Sequence, residues 1–147
     1  MEFEETEEQQ PEEQRVAIYS KWAILGFSVF FSPIVGGILL MLNLRSVGLK
    51  REGTSVLLFA IAYRIIAGIL LGSIIKLPSG ENALAMLTDT RFMMYSLVLD
   101  IIGGGILAEY FFKKYFPATN YEYKSIIRPL LILFLIIITL SLLLRIG

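Results

Sequence analysis

The chain has 147 residues, with 13 basic and 13 acidic side chains, no His and no Cys. Apolar residues make up 56% of it and the mean hydropathy is +0.71, which leaves more apolar surface than a soluble fold of this size hides. An ordinary soluble domain is thereby excluded, and so are a His–Asp relay, a His-ligated haem or zinc, a thiol nucleophile and a disulfide.

Residues 1–17 read as a disordered acidic tail. Glu2, Glu4, Glu5, Glu7, Glu8, Glu12 and Glu13 supply seven of the 13 acids, and such a tract with Gln and Pro between the charges buries too little to order itself. Its start is acidic where a signal peptide is basic, so a signal peptide is not expected. A solvated tail or docking to a basic partner surface are the two uses it suggests.

Residues 18–147 are expected to form an all-α integral membrane domain, a four-transmembrane-helix bundle. Spanning roughly 30 Å of hydrocarbon takes about 20 apolar residues, and four segments meet that length: about 22–42, 55–75, 92–112 and 129–146. Open strands cannot satisfy their backbone in lipid, so the spans are helices. In the first, Ser32-Pro33 followed by Gly36-Gly37 predicts a kink at Pro33, and Ser28, Ser32 and Gly36 line up four apart as a face of small residues. Asn43 to Gly53 is a polar, basic break. Ser79 to Leu87 allows either a short interfacial helix or a plain loop. Trp22, Tyr110, Tyr115, Tyr121 and Tyr123 fall at span ends, where amphipathic rings settle. The fourth span is apolar on every side and suits lipid or a partner protein.

Two charges fall near span centres. The second span reads Ala60, Arg64, Gly68, Gly72 at four-residue spacing, and the third reads Ser96, Asp100, Gly104, Ala108. Small faces let helix backbones approach closely in lipid. An isolated charge there costs at least a few kcal/mol, so an intramembrane Arg64–Asp100 ion pair between the second and third helices is predicted, Arg gripping the carboxylate through its planar fork. An axial offset of about 5 Å is within reach of the guanidinium.

Four spans put both termini on one side. Arg45, Lys50, Arg51, Lys113, Lys114, Lys124 and Arg128 then give the first and third loops seven basic residues. Arg15, Lys21, Lys76, Arg91 and Arg145 give the other side five. Basic loops stay in the cytoplasm, so both termini are expected outside it.

Ile18-Tyr19-Ser20, the Pro- and Gly-containing first span, and Leu42-Asn43-Leu44-Arg45-Ser46-Val47-Gly48 with Lys50 resemble a group of short, uncharacterised bacterial membrane proteins. These share a Tyr-Ser lead-in, a Gly/Pro first helix and an Asn-x-basic-x-x-Gly exit. The likeness covers about residues 18–51, and beyond that only as hydropathy; Lys21 stands where a Pro is common. It implies a bacterial inner-membrane location and a four-helix layout, and no activity. Small four-span multidrug exporters, by contrast, rely on a carboxylate in the first helix, and Trp22 to Leu42 contains none.

The expected function is that of a non-enzymatic membrane protein working by association, as an accessory or structural subunit or by self-association. The alternative is a minimal transporter or channel for ions, protons or a small solute that uses Arg64 and Asp100. The expected partners are the bilayer and other membrane subunits; no nucleic acid, metal or cofactor is expected.

Overall fold

The computed structural model describes residues 16–75, 89–117 and 121–146, with side chains up to Leu143. The acidic tract 1–15 and the interfacial segment 79–87 lie outside the described residues. Five helices carry the fold: α1 Lys21–Phe30, α2 Pro33–Ser46, α3 Lys50–Ile74, α4 Thr90–Tyr115 and α5 Ile127–Ile146. Two short strands, β1 Ala17–Ile18 and β2 Glu122–Tyr123, pair in parallel, Ala17 opposite Glu122 and Ile18 opposite Tyr123.

Among the described residues two helices, not four, are long and apolar enough to cross a membrane: α3 with 25 residues and α4 with 26. The first predicted span is where the sequence reading fails. Its 21 positions are not one rod but two short antiparallel helices. α1 has 10 residues and α2 has 14, about 15 and 21 Å long, and neither covers about 30 Å of hydrocarbon. Pro33 does not kink a continuous helix; it starts a new one. Ser32 is fully extended (φ 177°, ψ 160°) and Pro33 takes the first helical position, where its missing N–H costs nothing. The chain therefore reverses at Phe31–Ser32.

Two contacts hold the hairpin shut. Near the turn, Gly36 packs on Ser28 so closely that a Cβ there would collide with the Ser28 hydroxyl and lie 2.8 Å from the Ile24 carbonyl. At the open end, the fully buried Asn43 accepts from the Tyr19 N–H (2.7 Å) and donates to the Tyr19 carbonyl (2.8 Å). Ser20 caps α1 by accepting from the Ala23 N–H at 3.1 Å.

The turn into α3 is built on Gly48, whose φ of +85° only glycine adopts cheaply. The Leu49 N–H reaches the Leu44 carbonyl (2.8 Å) and the Gly48 N–H the Arg45 carbonyl (3.1 Å), a Schellman closure of α2. α3 then runs back along α2, with Gly37 so near Ala60 that an added Cβ would sit 2.7 Å from it. α4 closes on α1 and α3. Through Ile106–Phe111 it widens into a π-turn, the Phe112 N–H bonding the Leu107 carbonyl. Ile18, Ile24, Phe27, Leu40, Leu44, Val56, Leu107 and Phe112 form the buried core, all in the half of the molecule that holds the hairpin. α5 leaves β2 and passes beside the turn, where Phe31, Leu130 and Phe134 border one small cleft. From Ile127 to Leu143 none of its residues is buried.

Candidate functional site

The reversal of α1 on α2 brings the start of α1, the α2–α3 turn, the end of α4 and both strands to one end of the molecule. From there Tyr63 lies 13 residues along α3 and Asp100 lies 13 residues back from Lys113 on α4, each about 20 Å deep. The hairpin turn reaches the same level, Pro33 lying 13 residues from Ser46 along α2. Pro33 stands there against α4: a Cβ at Gly103 would come 2.8 Å from its Cγ and 2.5 Å from the Tyr63 ring.

Asp100 is 9% exposed. One carboxylate oxygen accepts from Ser96 at 3.5 Å, the outer limit of a hydrogen bond. The other, Oδ1, is buried with no hydrogen-bond partner among the described residues. Tyr63 donates to the Leu99 carbonyl at 2.7 Å and ties α3 to α4 next to it.

The predicted Arg64–Asp100 ion pair is absent. Among the described residues the ion pairs within 4.0 Å are Lys21–Glu109 at 2.8 Å and Lys113–Glu109. The reason lies in helix geometry. A step of four residues turns a helix about 40° past a full circle, so Ala60, Arg64, Gly68 and Gly72 sweep about 120° around α3. The buried positions Gly53, Val56, Ala60, Ala67 and Leu71 alternate steps of three, four and seven and keep to one side. Only Ala60 of the predicted line faces inward. Arg64 is half-buried on the flank, and Gly68 and Gly72 point outward, with nothing within 4 Å of a Cβ added at either.

The third-span line fares better. Asp100, Gly104 and Ala108 are buried and Ser96 is half-buried, because α4 is flanked by α1 on one side and α3 on the other and the π-turn offsets the drift before Ala108. A Cβ at Gly104 would come 2.6 Å from that of Ser28. The first-span line is divided by the chain reversal: Ser28 on α1 faces Gly36 on α2, and Ser32 sits in the turn between them.

Sequence reasoning missed two sets of side chains. Asn43 was read as part of an exit motif, although a lone amide in the apolar run LLMLNL signals a buried polar clamp. Glu109 has no role in the sequence reading, yet it accepts from Lys21 of α1 and Lys113 of α4; a Lys four residues on is the visible half of that cluster. Around it Lys21 stands 5.2 Å from the Trp22 ring, Lys114 5.4 Å from Tyr115 and Lys124 5.6 Å from Tyr19. No protein-family model, curated protein or solved structure matches the chain.

Proposed function

We propose that the chain is a non-enzymatic subunit of a bacterial inner-membrane assembly, and that it associates through the outer side of α3. One observation carries this reading: Gly68 and Gly72, four residues apart, meet nothing within 4 Å of an added Cβ among the described residues. Paired small residues at that spacing are how helices approach one another in lipid. Arg64 lies on the same flank, half-buried and without a hydrogen bond or ion pair among the described residues. At membrane depth such a group needs an acceptor, and a neighbouring subunit supplies one. With no Cys in the chain, a single Cys placed at Ile65, which is exposed and shares the face of the two glycines, gives clean cross-linking in native membranes. A cross-linked dimer is expected, and Gly68→Leu with Gly72→Leu should abolish it while the chain still inserts. A chain that stays a lone monomer throughout would defeat the proposal.

The same reading fixes an orientation. Because the first predicted span is a hairpin, Lys21, Arg45, Lys50, Arg51, Lys113, Lys114, Lys124 and Arg128 share one end, eight basic residues among the described ones. Arg91 and Arg145 lie toward the other. Retention of basic segments in the cytoplasm then sets the N-terminal tail inside, the reverse of what four spans imply. The resemblance of residues 18–51 to short bacterial membrane proteins supports the inner-membrane location.

The unpartnered Oδ1 of Asp100 favours a second reading, in which a cation or proton passes this carboxylate. Under it, Asp100→Asn abolishes flux through reconstituted vesicles and leaves folding intact. Unchanged flux, or none in the parent protein, removes it.

A further inference from the structure

An amphipathic groove begins at the crowded end of the molecule and follows α1 toward the turn of the hairpin. Its mouth is a space of about 760 Å³ between Lys21, Trp22, Phe112 and Lys113. Ser20 and Trp22 also border a second stretch of about 650 Å³, which passes Gly26 and Phe30 and is closed on the far side by Ile126, just before α5, and by Leu130 of α5. A third, of about 220 Å³, continues from Phe31 and Leu130 to Phe134 and Ile137.

The chemistry changes along this path. At the mouth Glu109 accepts from both Lys21 and Lys113, which leaves one positive charge over and several ammonium donors unused. Below Ser20 the lining is almost wholly apolar. From Ile126 to Ile137 the groove descends about 16 Å, close to the depth of one leaflet of a bilayer with about 30 Å of hydrocarbon.

We propose that this groove is a binding site for an anionic phospholipid, with its phosphate on the ammonium donors of Lys21 and Lys113 that Glu109 leaves free and an acyl chain laid between α1 and α5. A free anion would use the mouth alone and leave the lower stretches empty. A peptide would set its backbone polar groups against walls that offer them no partners. A lipid matches both parts at once, and the aromatic and lysine residues around the mouth place it at headgroup level.

Trp22 tests this directly. It is the chain's single Trp, it is 70% exposed, and it borders both the mouth and the second stretch. The full-length chain is reconstituted in phosphatidylcholine vesicles that carry a small fraction of either phosphatidylglycerol or phosphatidylcholine brominated in the acyl chain, and quenching of Trp22 is read. At low salt a preference of about fivefold for the anionic lipid is expected from one uncompensated charge, shrinking as salt is added. Lys21→Gln with Lys113→Gln should remove the preference. So should Gly26→Phe, which fills the second stretch from a position where an added Cβ meets nothing within 4 Å. Equal quenching by the two lipids overturns the proposal, as does a preference that survives both sets of substitutions. If inorganic phosphate erases the preference, the site holds an anion and not a lipid. If the preference fades as the protein-to-lipid ratio rises, a second copy fills the groove.

Discussion

Gly103 and Gly105 are two residues apart on α4 and have opposite reasons to be glycine. A Cβ at Gly103 would press on the Tyr63 ring at 2.5 Å and on Pro33 at 2.8 Å, and both are held, the first by its hydrogen bond to Leu99 and the second by the turn of the hairpin. A Cβ at Gly105 would meet nothing within 4 Å. Gly103→Ala should therefore destabilise the fold by about 1–3 kcal/mol through overpacking. Gly105→Ala should stabilise it by about 0.5–1 kcal/mol, because alanine gives up less backbone freedom in a helix. Unfolding of the two variants in mixed micelles measures the difference; equal stabilities would mean that the hairpin turn does not press on α4. This contrast was not visible in the sequence, where the three glycines at 103–105 read alike. Asp100 was visible as an uncommon charge. That Arg64 does not pair with it was not visible, because a four-residue stripe reads as one face when on α3 it winds away from the contact.

At the scale of elements, what was legible is what hydropathy measures. α3, α4 and α5 follow their apolar runs to within a few residues, since a long run between polar breaks has one sensible length. The segment from Trp22 to Leu42 was misread because hydropathy counts apolar residues and is blind to their direction. A run of this length serves equally for one rod across the bilayer or for two half-length rods that turn back. The deciding information is partly local, in Ser32-Pro33, and mostly distant. In a continuous helix Tyr19 and Asn43 would be about 36 Å apart, whereas here they exchange two hydrogen bonds. Nothing in a single sequence announces that pairing. The reversal also changes what α2 contributes. It stands as a wedge between α1 and α3, its glycines against Ser28 on one side and Ala60 on the other, and gives the crowded half of the molecule a core that two crossing helices alone could not build.

At the scale of the molecule the hairpin decides which segments share a side of the membrane, and that is open to a direct test. A four-span bundle would put Val16 and Thr90 on one side and Ser46 and Ser125 on the other. With α1 and α2 folded together, Val16, Ser46 and Ser125 fall on the same side and Thr90 on the opposite one. All four are solvent-facing or half-buried positions at helix or strand ends, Val16 being 39% exposed, and the chain has no Cys to interfere. Single Cys substitutions at each, treated in intact spheroplasts with a maleimide that cannot cross the membrane, should react only at position 90. After the membrane is permeabilised, positions 16, 46 and 125 should react as well. Modification of 16 together with 90 would restore the four-span layout. Modification of 16, 46 and 125 with 90 protected would keep the hairpin and invert the molecule, and the eight basic residues at the crowded end would then lie on the side where membrane proteins seldom leave them.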